Sequence, residues 1–297
     1  MDIRVLNYFL VVAREESFSR AAEALYISQP TLSRQIRDME EELGVQLLVR
    51  TNRNVHLTQE GMRLRKRAQE IVALMDKTRE EFAQPAEEIA GDIYIGSGET
   101  QLIRPIGALA VKLRQIHPGV HYHLYSGNAD SIAERLDRGL LDFGIMLDPG
   151  DIHHYESLQI PGRDVWGVLM RRDCPLAAKK TLQAKDLISV PLLISAQNMG
   201  SHSLPSWLRG DADRLDIIGS YNLLFNAAVM VEQGLGCAVC LDHLADVTEH
   251  TDLCFRPFYP IQESRLYLVW KRYQLFSPPA EVFLRMVQDA FLQGREA

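Results

Sequence analysis

The chain has 297 residues, 46% of them hydrophobic, which is enough apolar material for two or three domains with packed cores. Four cysteines are too few for a disulfide framework at this length, and with no signal peptide and no long apolar run a soluble, cytoplasmic protein is expected. The net charge of −7 is unevenly spread: residues 28–67 hold eight Lys/Arg against five Asp/Glu, a local +3 that leaves a basic face for phosphate contact.

Ile3, Leu6, Phe9, Leu10 and Ala13 give a first helix one apolar face. Ser19 is the expected N-cap of a second helix whose body is Ala21 to Leu25, and Tyr26-Ile27 breaks that run. Ser28 caps a third helix, in which Pro30 is tolerated because the first turn does not need its N–H. There Leu32, Ile36, Met39 and Leu43 recur at spacings of four, three and four and predict a buried stripe. Gln29, Ser33, Arg34 and Arg37 are expected on the other side. A helix that is apolar beneath and carries Gln, Ser and Arg on its N-terminal half suits a DNA major groove, because Gln and Arg make bidentate bonds to base edges. After Gly44, two extended segments flank Thr51-Asn52-Arg53-Asn54, a hairpin signal that predicts a wing bearing Arg50 and Arg53.

From Gln59 to about Gln84 there is no helix breaker. Gly61, Leu64, Ala68, Ile71, Met75, Thr78 and Phe82 alternate spacings of three and four, a heptad period. The expectation is a linker helix that pairs with a second subunit; the alternative is a helix packed on the first domain. From residue 91 short strands and helices alternate. Strands are expected over 92–96, 120–125, 141–146, 165–170, 191–194, 215–219, 236–241 and 265–270, and helices over 102–116, 129–136, 203–208, 223–233 and 279–292. That alternation implies a mainly parallel sheet covered on both faces, in two lobes with a cleft between them.

Residues 1–61 resemble the winged DNA-binding domain of the LysR-type transcriptional regulators. The resemblance rests on Phe18-Ser19-Arg20-Ala21-Ala22, Ser28-Gln29-Pro30-Thr31-Leu32-Ser33, Ile36, Glu40, Leu43-Gly44, Leu47, Arg50 and Val55-His56-Leu57-Thr58 with Gly61. Leu48 stands where the family usually has Phe, and Glu60 where it usually has Ala. The remainder is similar to the family's effector-binding domain, a relative of periplasmic solute-binding proteins. That part rests on Glu134-Arg135-Leu136 with Gly139, Leu141-Asp142-Phe143-Gly144-Ile145 and Val231-Glu232-Gln233-Gly234-Leu235-Gly236. The fold expected is therefore α/β with an all-α-rich N-terminal winged helix-turn-helix (1–58), a linker and dimerisation helix (59–90) and a two-lobed α/β effector-binding domain (91–297). Lobe I would hold 91–160 and 267–297, and lobe II 161–266.

The resemblance implies a cytoplasmic regulator of transcription that acts on double-stranded DNA at a pseudo-palindromic operator. It also implies self-association to a homodimer and homotetramer, RNA polymerase as a further partner, and no membrane. Gln29, Pro30, Thr31, Ser33 and Arg34 would enter the groove, with Arg37, Arg50 and Arg53 on the backbone or in the minor groove. A small effector would sit at the ends of strands near helix N-termini. The free N–H groups of residues 97–101, with the Ser97 and Thr100 hydroxyls, suit a carboxylate. Family correspondence points to Ser97, Gly98, Thr100, Gln101, Gln197, Asn198, Tyr221 and Asn222. Glu99 is awkward there, because a carboxylate facing the cleft repels an anion.

No catalytic residue, metal site or cofactor is expected. Gly96-Ser97-Gly98-Glu99-Thr100-Gln101 is a near miss to the dinucleotide fingerprint, its third glycine replaced by Gln101. Cys237 and Cys240 lie three apart on a strand, so they face opposite sides and do not share a metal. His121 and His123 share a strand face and read as surface or packing. An enzyme or a plain solute-binding protein built on the two α/β lobes is the competing class.

Overall fold

The computed structural model describes residues 1–50, 55–82, 89–148, 154–196, 208 and 214–292. It divides into two compact units, Met1–Gln84 and Pro85–Ala297.

In the first unit, α1 (Ile3–Glu15) is capped by Asp2, whose carboxylate accepts from the Arg4 N–H at 2.8 Å. The helix buries Val5, Leu6, Phe9 and Val12. The α2 helix (Phe18–Ala24) starts earlier than expected: Ser17, not Ser19, is its N-cap and accepts from the Arg20 N–H. The earlier start puts Phe18 at the first helical position, where it is buried. After a turn through Tyr26, α3 (Gln29–Leu43) begins at the expected Ser28 cap, with Pro30 in its first turn. Leu32, Ile36 and Met39 form the core stripe, but Leu43 is 39% exposed. It is the last helical residue; the chain turns back at Gly44, and Leu47 and Leu48 take the apolar space instead.

Strands β1 (Leu48–Arg50) and β2 (Val55–Leu57) pair antiparallel with Leu48 opposite Leu57, which is the base of the expected wing. Glu40 Oε1 anchors it from α3 by accepting the Leu47 and Leu48 N–H groups. The Thr58 hydroxyl then accepts from the Gly61 N–H at the start of α4 (Gln59–Phe82). Only glycine fits at 61, because a Cβ there would lie 2.1 Å from the Leu47 carbonyl oxygen. The expected seam of α4 splits. Leu64, Ala68 and Val72 pack into the core of the first unit, whereas Ile71, Leu74 and Met75 are about two-fifths exposed.

The second unit is one long mixed sheet in the order β4-β3-β5-β11-β6-β9-β7-β8, with β10 added to β6. Its strands are β3 (Gly91–Ser97), β4 (Val120–Ser126), β5 (Phe143–Leu147), β6 (Tyr155–Arg171), β7 (Pro191–Ser195), β8 (Asp216–Tyr221), β9 (Cys237–Leu241), β10 (Leu253–Pro257) and β11 (Glu263–Lys271). Helices α5 (Arg104–Ile116), α6 (Ala129–Asp137), α7 (Leu224–Glu232) and α8 (Pro278–Leu292) cover it. Pairing is parallel within each half, β3 with β4 and β5, and β7 with β8 and β9. It is antiparallel through the middle, where β6 and β11 carry the chain out to one lobe and back. The sheet is thus mixed rather than mainly parallel. A chain that crosses between two lobes twice must run in opposite directions on the two crossings.

The β6 strand is far longer than the expected 165–170, and β10 was not expected. Its first half pairs with β11 and its second half, from Trp166, with β9 and β10. One core lies under α5 and α8 around Phe143 and Phe283. Others lie on the two faces of the second half, around Val168 and Leu192 on one and Leu169 and Leu224 on the other. The helix expected over 203–208 falls outside the described residues except for Leu208, which is buried. No helix among the described residues is long and apolar enough to cross a membrane.

Candidate DNA-reading helix and interlobe cleft

On α3, Gln29, Pro30, Thr31, Arg34 and Arg37 are exposed. The Ser28 cap satisfies the Thr31 N–H and shares a hydroxyl contact of 2.8 Å with Thr31 Oγ1, so the first turn is fixed before anything docks on it. Ser33 is the correction: it is only 8% exposed. Three residues before Ile36, it lies about 60° round the helix from Ile36 and about 100° from Leu32, beside the core stripe rather than opposite it. The Arg50 backbone pairs with Val55 in the wing. Arg53 lies outside the described residues, as do Gln197 and Asn198.

In the second unit a cleft of about 480 Å³ opens between the two halves of the sheet. Gly98, Glu99, Asp148, Trp166, Tyr221 and Asn222 are among the residues that line it. Of the expected effector contacts it therefore gathers Gly98, Tyr221 and Asn222. Ser97 and Thr100 instead line a smaller neighbouring cavity of about 270 Å³.

The side chains of residues 97–101 are already committed. The buried Ser97 hydroxyl donates to the Gly98 carbonyl at 2.7 Å. Thr100 Oγ1, also buried, donates to Asp164 Oδ2 at 2.6 Å and accepts from the Leu102 N–H. Gln101 Nε2 donates to the His243 carbonyl at 2.9 Å, and its Oε1 accepts from Arg104. These groups tie the loop to itself and to the far lobe, so the Ser97 and Thr100 hydroxyl protons are spent within the protein. The Tyr221 hydroxyl likewise donates to the Val239 carbonyl at 2.5 Å, and burial pushes its ionisation well above the usual phenol range.

Glu99 has a definite place. Its Oε2 accepts from the Leu224 N–H, the first amide of α7, from across the cleft. The α7 N-cap residue, Leu223, has no side chain able to do this. A carboxylate therefore sits at that helix N-terminus, and the protein supplies it. Behind the cleft Asp164 is 3% exposed. Burial holds its carboxyl above the ordinary range, a rise partly offset by the Thr100 hydroxyl, reinforced by Asp242 and opposed by His243.

Cys237 and Cys240 pack on opposite faces of β9, in separate cores, and burial raises each thiol to about 12. His123 pairs with Asp92 at 2.6 Å and stacks on Tyr94 at the exposed sheet edge. Among the described residues no group of three or more His, Cys, Asp or Glu side chains is placed to hold a metal ion.

Two family models match. Residues 3–62 match the bacterial regulatory helix-turn-helix protein, lysR family, and residues 86–292 the LysR substrate binding domain. Among curated relatives, the HTH-type transcriptional regulator IlvY of Escherichia coli K12 is 30% identical over 251 residues, covering 81% of each chain. The HTH-type transcriptional regulator YfeR of Shigella flexneri is 26% identical over 99% of this chain and 97% of its own. Among solved structures, full-length CbnR complexed with its target DNA superposes with a TM-score of 0.76 at 20% identity, covering 98% of this chain and 100% of that one, which is a likeness of fold. With both models matched and the helix-turn-helix, wing and two-lobed α/β domain in place, the chain belongs to the lysR family and is a DNA-binding transcriptional regulator with an effector-binding domain.

Proposed function

We propose that Gln29, Pro30, Thr31 and Arg34 enter the major groove of an operator, while Arg37, Arg50 and Arg53 engage the phosphate backbone or the minor groove. The observation that carries this is the bare polar surface of α3 above a core that fixes the helix on its other side. Arginine reads guanine and glutamine reads adenine by paired hydrogen bonds. Exposed Ile71, Leu74 and Met75 on α4 support a pairing of two copies through the linker helix, and hence a two-part site. A tetramer of such dimers, contact with RNA polymerase and a cytoplasmic location complete the reading.

A small effector enters the interlobe cleft and shifts the balance between lobe arrangements, and that shift changes how the paired DNA-binding domains meet their half-sites. Gly98, Tyr221 and Asn222 are its contacts from the expected set, with Gln197 and Asn198 assigned by correspondence alone. The chain acts by binding and carries out no turnover.

Footprinting and gel shifts on the DNA upstream of the neighbouring gene test this. Two protected half-sites are expected, and Arg34→Ala should weaken specific binding by about 1–3 kcal/mol per subunit. Protection of a single half-site would remove the pairing, and an unchanged affinity for Arg34→Ala would remove the base-reading role of that residue.

A further inference from the structure

We infer that Glu40 is a positioning residue for DNA binding: it sets the wing beside the reading helix, and without it the wing loses its hold on the duplex while α3 still reads. This rests on the proposed docking of α3 in a major groove and of the wing arginines on backbone or minor groove, and names what aligns the two.

A two-stranded hairpin is marginal by itself, and β1 and β2 pair over only three residues each. The wing's place therefore depends on what holds its base. One side is held at β2, where the Val55 N–H donates to the Glu16 carbonyl at 3.0 Å. The other is held by Glu40, whose Oε1 accepts from the Leu47 N–H at 2.7 Å and the Leu48 N–H at 3.0 Å. Leu47 and Leu48 are 1% and 2% exposed, so their amides have no water to turn to. On helical spacing Glu40 lies about 40° round from Ile36 and about 60° from Arg37, at the border between the buried stripe and the exposed face. One helix thus carries both the groove-facing side chains and the hold on the wing.

Charge separates this role from a purely electrostatic one. Glu40 stands in the last turn of α3, which has no basic residue. A carboxylate near a helix C-terminus and beside a phosphate-binding surface is unfavourable on both counts. Were its charge all that mattered, shifting or removing it would leave DNA binding unchanged or tighter. Acting through its acceptor, it weakens binding when the acceptor no longer reaches the two amides.

Hydroxyl-radical footprints and salt-dependent gel shifts on the operator, with full-length protein, test this. Glu40→Asp keeps the charge but is one methylene too short for both amides. It should lose the protection that flanks each half-site, keep the protection under α3, and show a salt slope shallower by about one to two. Glu40→Gln keeps an acceptor at full reach and should recover the flanking protection. Arg50→Ala/Arg53→Ala should reproduce the Glu40→Asp footprint, and adding Glu40→Asp to it should cost nothing further. Flanks still protected in Glu40→Asp overturn the inference, as does a Glu40→Gln footprint as poor as that of Glu40→Asp, or a triple variant weaker than the arginine pair. Lost hydrogen-exchange protection of the α1–α3 amides in Glu40→Asp also overturns it, because the residue would then hold up the fold and not the wing alone. If Arg50→Ala/Arg53→Ala leaves the flanks protected, the wing reading itself fails and takes this inference with it.

Discussion

On α3 the side chains of Gln29, Thr31, Arg34 and Arg37 stand in solvent, whereas those of Ser97, Glu99, Thr100 and Gln101, at the end of β3 and in the loop that follows, are all hydrogen-bonded within the protein. Both stretches begin where a side-chain oxygen caps the next element, Ser28 in one and Thr100 in the other. The difference lies in what surrounds them. The α3 helix has one face on a core and its other face exposed, so its polar groups face solvent. The loop sits where two lobes meet, and there unpaired buried polar groups are costly enough that the protein pairs them itself. Polar residues at a site are evidence of binding only once their internal partners have been counted.

The largest expected effect breaks the comparison at α3 by attacking its underside. Leu32 is fully buried, two residues before the exposed Arg34. Leu32→Ala should destabilise the first unit by about 2–5 kcal/mol, through lost transfer energy and the cavity left behind. Hydrogen exchange on the full-length protein would report it as lost protection of the α1–α3 amides, while Arg34→Ala leaves that protection intact. If both substitutions loosened α3 alike, the division into a core face and a reading face would be wrong.

Helical periodicity made the α3 division legible, because one residue's position fixes those three and four further on. It failed at the margins. Ser33 sits at the edge of the stripe, where the period alone does not decide burial, and Leu43 sits at the helix end, where the following turn decides it. The wing and the Ser28 cap were legible because their signals are local. The partners of the cleft loop were not: Glu99 meets an amide 125 residues away and Gln101 a carbonyl 142 residues away. The β6 strand was hidden for another reason. Pro161 and Gly162 interrupt it, as edge or bulge residues do. Yet Gly162, at φ +112°, lets the chain pass where a Cβ would meet Leu102 at 2.6 Å.

A smaller effect sharpens the comparison at the loop. Thr100→Val removes the hydroxyl that serves Asp164 and the Leu102 N–H, and should cost about 1–3 kcal/mol in stability of the second unit. Thr100→Ser keeps the hydroxyl and should recover most of the loss. Urea unfolding followed by a probe within the second unit would separate the two. An unchanged midpoint for Thr100→Val would mean that the hydroxyl is free for a ligand after all, and would restore the carboxylate cradle to consideration.

The smallest effect follows from Asp164. Its carboxyl is raised, with burial as the leading cause, so the folded protein holds that proton more tightly than the unfolded chain does. Between the ordinary carboxylate pKa and the raised one, the folded state binds more protons, and stability therefore falls as pH rises through that window. The contribution is whole below the ordinary value and gone above the raised one. Asp164→Asn is neutral throughout and can still accept from Thr100. Its unfolding temperature relative to the wild type should climb across the window and then level off. Parallel curves for the two proteins would mean that Asp164 is charged at little cost in its buried place. The negative charge behind the cleft would then be better compensated than its neighbours indicate.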